Sequence, residues 1–380
     1  MKKKKINEIL MYASYILILI STMLSRVEII SNNYNLINSI SIILLIIDCI
    51  IVSKKIRKKD IIIYLIIFIM IIISYKKSAS SVILKLFLLI YCFKGISFEE
   101  TVKKDFYLKI FLFAIVLTLH FFELTNDYIT VRSDGTVRNS MGFSHPNIFG
   151  LYILMIVLEY MYIKKFNVRF YQIIILCMLA LVINYFSDSR ASMILIVMII
   201  AIIIFKRPIF TFISKSKSIK FISKHLIVLL SLLTLFFVII YRNNNNLGIM
   251  INKITSNRIY SINEFYINYG IHLFGNKLVL VSTEMSVLLN TQAYILDNCY
   301  ANLIIQYGIF VYIMICMFFE KAFKKMYSEK DYSLVLIFIL LLIYGVIENS
   351  ILKISYNIFL LYFSKIIYIE DEGERKIEWY

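Results

Sequence analysis

Apolar runs of roughly 15 to 20 residues recur along almost the whole chain, each long enough to cross the hydrocarbon core of a bilayer. In lipid a run of that length must satisfy its backbone N–H and C=O groups internally, and an α-helix does so. The chain therefore reads as an all-α polytopic membrane protein. Of its 380 residues 60% are hydrophobic, and ten glycines and two prolines leave little material for loop-rich soluble domains. One integral domain, residues 1–380, is expected.

Twelve spans are predicted, at about 9 to 25, 36 to 53, 61 to 75, 79 to 93, 106 to 123, 148 to 163, 170 to 186, 191 to 205, 225 to 241, 299 to 319, 333 to 347 and 353 to 369. The basic MKKKKINEIL start reads as the cytoplasmic head of a retained signal anchor, which puts both termini in the cytoplasm. The clusters KKIRKK (54–59), KK (103, 104), KK (164, 165), KRPIFTFISKSKSIKFISK (206–224) and KAFKK (321–325) then all fall on that same side. The weakest pair is the third and fourth spans, where Lys85 interrupts the fourth and is expected to snorkel outward. No internal repeat suggests a transporter built from inverted halves.

The net charge of +17 lies mostly in these short clusters, the distribution of a topology signal, which argues against nucleic acid as a partner. The five cysteines (Cys49, Cys92, Cys177, Cys299 and Cys316) lie in or beside spans without C-x-x-C spacing, so neither a disulfide framework nor a metal knuckle is indicated.

Two external segments, 124–147 and 242–298, are too long to be mere connectors. In the second, Ile251, Ile254, Arg258, Ile262, Phe265 and Tyr269 recur at spacings of three or four, which predicts an amphipathic helix at the outer surface. Arg258 sits in its apolar stripe and should point toward the membrane domain.

The arginines depart from the rule that the lysines obey. Six of the ten (Arg26, Arg132, Arg138, Arg190, Arg242 and Arg258) fall on the external side. The topology rule treats the two residue types alike, so the division needs a second cause, and the bidentate fit of guanidinium to phosphate supplies one. Local pairing is the plain alternative: Arg132 with Asp134, Arg190 with Asp188, Arg26 with Glu28. Arg190 and Asp188 lie in SDSRAS, a connector short enough to hold both charges near the membrane surface.

Four stretches follow one another in order: GFSHPNIFG (142–150), DSRAS (188–192), RIYSINEFYINYGIHLFGNK (258–277) and DNCYANLIIQYGIF (297–310). Together they resemble the O-antigen polymerase and ligase superfamily, which contains Wzy-type polysaccharide polymerases and WaaL-type ligases. The resemblance covers roughly residues 106 to 360 and assigns no motif to the first four spans. It implies a GT-C-like, metal-independent membrane glycosyltransferase with no cofactor, in a bacterial inner or cytoplasmic membrane. Its substrate would be an undecaprenyl diphosphate-linked oligosaccharide, with a chain-length regulator and a flippase as partners. By match, Arg190 and Arg258 take the positions of the family's diphosphate-binding arginines. Asp297 stands where ligase-type members carry a histidine general base, a departure that favours polymerase over ligase.

The residues can be weighed against that chemistry directly. A leaving diphosphate needs fixed cations, which Arg132, Arg138, Arg190 and Arg258 can supply if they converge. The attacking hydroxyl needs a proton acceptor, and the external candidates, in order, are Asp297, His145, Glu264, Asp188 and Glu348. Asp297 would need desolvation to raise its pKa toward the working range. The bland readings are helix caps: Asp297 and Asn298 for the span from 299, and Ser144 with Pro146 in the first turn and Asn147 bonding locally for the span from 148. Asp48 and Glu159 read as polar contacts inside the bundle, and Tyr294 and Tyr300 are placed to stack on a glycan.

The expected activity is polymerisation of lipid-linked repeat units into O-antigen, capsule or exopolysaccharide outside the membrane. A ligase moving finished glycan to an acceptor is the runner-up among enzymes. A lipid-linked oligosaccharide flippase would also show arginines to diphosphate, but should carry charge through the membrane depth, whereas here it gathers in external loops. The absence of D-x-D and the short basic cytoplasmic loops disfavour a nucleotide-sugar synthase.

Overall fold

The computed structural model describes residues 2–53, 58–126, 129–132, 135–291 and 293–367. Among these the regular structure is helical, apart from one antiparallel two-stranded ribbon pairing Ile129–Val131 with Val137–Asn139 and a single bridge between Val281 and Tyr294. The all-α expectation therefore holds.

Four helical segments are long and apolar enough to cross a membrane: Ile6–Met23, Tyr34–Ser53, Pro146–Lys164 and Phe170–Ser187. Two bent pairs raise the number to six. In one, Lys206–Lys215 turns 88° away from Arg190–Ile204; in the other, Lys217–Lys224 meets Leu226–Arg242 at 67°. The basic stretch expected as a plain connector thus forms two short amphipathic helices, a composition suited to lying in a headgroup layer.

The expected twelve spans are not all continuous helices of spanning length, and the reasons are local. Val82–Cys92 and Tyr332–Tyr344 are apolar but short, whereas roughly 20 residues are needed for a full crossing. The apolar part of Ile309–Ser328 gives way to a charged turn at Glu320 and Lys321. The stretch from 299 is broken by a π-helical turn at Leu303–Tyr307 and by Gly308, and the last expected span is irregular before the 3-10 turns of Ile358–Phe363. Gly308 (φ +91°) and Gly275 (φ +81°) meet at that break. A Cβ on Gly275 would stand 2.0 Å from the Gln306 carbonyl oxygen, so the loop closes on the helix break only because this position has no side chain.

Pro146–Lys164 and Tyr332–Tyr344 are buried along most of their length and form the middle of the main core. Around them, Tyr34–Ser53 turns Ile43, Ile46, Ile47 and Ile50 outward, and Leu226–Arg242 turns out Leu229, Leu232, Phe236 and Ile239. Exposed apolar stripes of this extent suit lipid, not water. By length, composition and surface this is a membrane protein.

One buried charge cluster is paired. Lys109, fully buried, lies 2.8 Å from Asp105 and 2.6 Å from Glu159, and donates to the Tyr356 carbonyl at 2.7 Å. Tyr15 donates to Asp105 at 2.7 Å. Glu159 is thus the interior contact the sequence suggests. Lys85 does not snorkel outward: it is buried and donates to Asn38 Oδ1 at 2.6 Å, because the short helix that carries it is buried on every face from Ile83 to Cys92.

Alternate connectors gather at one end of the bundle. Arg26, after the first helix, holds Glu284 with both terminal nitrogens (3.0 and 2.6 Å) and the Ser144 carbonyl (2.9 Å), not the expected Glu28. The single amphipathic helix expected around Arg258 is two helices, Asn246–Ile254 and Arg258–Tyr269, because Ser256 and Asn257 take left-handed backbone between them. The break rotates the stripe. Ile262 and Phe265 are buried as expected, but Ile254 is exposed.

Candidate functional site

Arg132, Arg138, Arg190 and Arg258, which lie far apart in sequence, line one cavity of about 640 Å³ on this loop face, together with Lys253, His145, Asn147 and Asp297. That volume is within the range of small-molecule sites. Two of the arginines come from the ribbon and two from the first residues of helices.

Arg138 is on the second ribbon strand, buried, and donates to the Ser187 carbonyl at 2.7 Å and to Asn147 Oδ1. Arg132, after the first strand, donates to the Asp188 carbonyl at 2.9 Å and pairs with the Asp188 carboxylate at 3.0 Å. Arg190 Nη2 lies 3.3 Å from that same carboxylate and remains half exposed. Asp188 can serve both because the π-helical turn Ile183–Ser187 ends in a left-handed residue at Asp188 (φ 41°), which turns two successive carbonyls toward the ribbon. π-turns of this kind concentrate at functional sites. The expected pairing of Arg190 with Asp188 is present. The alternative partner of Arg132, Asp134, lies outside the described residues.

Arg258 opens its helix and reaches inward to Glu348 (3.1 Å) and, more loosely, to Asp297 (3.8 Å). Asn147 Nδ2 donates to the same Glu348 oxygen at 2.8 Å. Glu348 therefore stands behind the cavity wall and ties the entrance of Pro146–Lys164 to the Arg258 helix. It is the last of the sequence's candidates, and its connections make it the most central carboxylate of the group.

The electrostatics follow from burial among cations. Burial pushes the Glu348 carboxyl up to about 7, helped by the nearby Asp297 charge and opposed by Arg258 and Lys353. Burial raises Asp297 as well, against the pull of Arg258 and Lys353. Burial and the neighbouring Arg132 lower Arg138 to about 10. Burial, then Arg138 and Arg258, push His145 down to about 4, so its ring is neutral near pH 7.

His145, not Ser144, is the N-cap of the helix that follows: its Nδ1 accepts from the Asn147 backbone N–H at 3.1 Å, and Pro146 fills the first turn. With Nδ1 accepting, the ring proton is on Nε2, and His145 presents a neutral donor to the cavity rather than a base.

Three expected residues are placed elsewhere. Asn298 caps the helix starting at Cys299, accepting from the Ala301 N–H at 2.8 Å and donating to the Val346 carbonyl at 2.7 Å. Tyr300 is fully buried with its hydroxyl bonded to the Leu342 carbonyl, so it cannot stack on a ligand here. Both face the core because capping turns this first helical turn away from the cavity, whereas Asp297 one residue earlier lines it. Glu264 is not among the lining residues. Tyr294 does line the cavity, its ring stacked on Phe265 at 4.0 Å between centroids.

Lys253 is the lining cation that sequence reasoning passed over. The only signal for it was its position five residues before Arg258, in a segment otherwise poor in lysine. Among the described residues five cations thus face a space lined by one carboxylate, an arrangement suited to a multiply charged anion. Comparison with family models, with curated proteins and with solved structures finds no match.

Proposed function

We propose that this chain is a polysaccharide polymerase, a membrane glycosyltransferase that joins undecaprenyl diphosphate-linked oligosaccharide repeat units on the external face of a bacterial cytoplasmic membrane. The observation that carries the reading is the convergence of Arg132, Arg138, Arg190 and Arg258 on one cavity with Asp297 in its wall. Each of the four motif stretches that resemble the polymerase and ligase superfamily supplies at least one residue of that cavity's lining.

In this reading the guanidinium groups hold the lipid diphosphate. A sugar hydroxyl of the acceptor attacks the anomeric carbon, forming the new C–O bond as the bond to the diphosphate oxygen breaks. The leaving diphosphate keeps the electron pair, and the arginines stabilise its charge. Asp297, desolvated and with its pKa raised, takes the hydroxyl proton. Glu348 positions Arg258 and Asn147. The proposal includes a twelve-pass, GT-C-like topology with both termini cytoplasmic, in which the shorter apolar helices also cross.

The test is reconstitution in liposomes with a lipid-linked repeat unit, following undecaprenyl diphosphate release and the polymer ladder. Release coupled to a ladder supports the reading. Transfer only to an added lipid or protein acceptor makes the chain a ligase, and substrate translocation without release makes it a flippase. Full activity in Asp297→Asn would remove the base assignment.

A further inference from the structure

A second cavity, of about 310 Å³, opens behind the first and shares no lining residue with it. The two are separated by the turn that carries Glu348: that side chain holds Arg258 and Asn147 of the first cavity, while Asn349 and Lys353 line the second. The arginine reading makes no use of this space.

Its chemistry differs from that of the first. The cations are two lysines, Lys85 and Lys353. Lys85 is 8% exposed, and its partner is the neutral Asn38 amide oxygen. Lys353 lies 5.8 Å from the centre of the Tyr356 ring. Among the described residues neither lysine makes a salt bridge, although Asp297 and Glu348 act on Lys353 through the field. Lys85 is buried and Lys353 half-buried, neither touches a carboxylate among the described residues, and an anionic ligand between them offsets the cost of their desolvation.

The remaining lining mixes aliphatic side chains (Ile18, Val82, Leu280, Leu352 and Ile354) with amides, hydroxyls and aromatic rings. Asn302 donates to Gln306 Oε1 at 2.9 Å, which leaves the Gln306 amide N–H groups as donors. Asn349 gives its Nδ2 to the Leu296 carbonyl at 2.7 Å, which leaves its oxygen as an acceptor. Tyr34 and Tyr356 supply ring surface beside these groups. Amides with both donors and acceptors, beside aromatic faces, match a pyranose with its hydroxyls and its apolar C–H face.

We propose that this second cavity binds an acidic sugar, its carboxylate between Lys85 and Lys353 and its hydroxyls on Gln306 and Asn349. It rests on the glycosyl-transfer reading only in naming that sugar part of the acceptor, delivered toward Asp297 from the side opposite the arginines. A binding measurement needs no turnover, so the two ideas can fail separately.

The experiment is ligand-observed NMR on the purified full chain in nanodiscs, with D-glucuronate as probe and D-glucose and inorganic phosphate as controls. Glucuronate should bind at least about fivefold tighter than either control, a difference of about 1 kcal/mol. Lys85→Met and Lys353→Met should each weaken it by a similar factor, with Lys353→Arg as the charge-retaining control. Inorganic pyrophosphate, a probe for the arginine cavity, should not displace it. Equal binding of glucose, equal binding of phosphate, displacement by pyrophosphate, or unchanged affinity in both methionine variants would each overturn the proposal. Size-exclusion profiles and melting curves identify a variant that has merely lost its fold, and the intact lysine variant then carries the test.

Discussion

Arg258 Nη2 lies 3.1 Å from Glu348 Oε1, and this oxygen also accepts from Asn147 at 2.8 Å. One carboxylate oxygen therefore positions two residues that are 111 apart in sequence and that both line the arginine cavity. The fork geometry of Arg258 matters here, because the same guanidinium must hold its carboxylate and still offer N–H groups to a ligand.

Arg258→Lys keeps the charge and loses the fork. Turnover of lipid-linked repeat units should fall roughly tenfold or more, the worth of one charge-assisted hydrogen bond of about 1.5–3 kcal/mol. The check is polymer ladder length and initial rate at matched protein level. Arg190→Lys tests the half-exposed arginine in the same way. Normal ladders from both variants would sink the diphosphate-clamp reading.

Turnover should depend on pH around neutrality. The Glu348 carboxyl is pushed up to about 7, so it loses its charge, and its ionic hold on Arg258, as pH falls through that value. The initial rate should rise between about pH 6 and 8, and Glu348→Gln should flatten this limb while lowering the rate. Stability should move the other way. A group whose folded pKa lies above its unfolded value contributes stability that is complete below about 4.5 and is lost as pH rises through 7. Melting temperature against pH for wild type and Glu348→Gln checks the sign.

His145 acts as a helix cap whose ring is neutral. His145→Asn, which can also accept from the Asn147 N–H, should retain stability and most of the turnover. His145→Ala should cost about 1 kcal/mol of stability through the lost cap. An activity collapse in the asparagine variant at unchanged melting temperature would restore the histidine as a proton acceptor.

Lys109 is the centre of the buried charge cluster. Lys109→Met leaves Asp105 and Glu159 without their cation and should destabilise the protein by roughly 3–5 kcal/mol. Thermal unfolding in detergent measures this. Adding Glu159→Gln should recover part of the loss, since one of the two stranded carboxylates is then removed. A single variant that melts like wild type would show that the cluster contributes nothing to the fold.

Much of this was legible along the chain. Tyr34–Ser53, Pro146–Lys164 and Phe170–Ser187 fall close to their predicted positions because length and apolarity are local properties. The bias that separates arginine from lysine pointed to the four residues that share the cavity. Other features were not visible because they depend on backbone irregularity. The π-turn that presents Asp188 and the break at Ser256 and Asn257 have no periodic signature, and Lys85 looked like a snorkelling residue because its partner, Asn38, is 47 positions away.

The sequence by itself determined the solvent this protein lives in, the helices that meet it and the residue types available for holding an anion, since each follows from composition within a window of one span. Only the tertiary structure decided which of those residues meet. Asp297 faces the cavity while Asn298 and Tyr300 beside it face the core, because a single cap turns the chain between them. Glu348 became central by proximity to Arg258 and Asn147, and its raised pKa comes from burial that no local pattern of residues specifies.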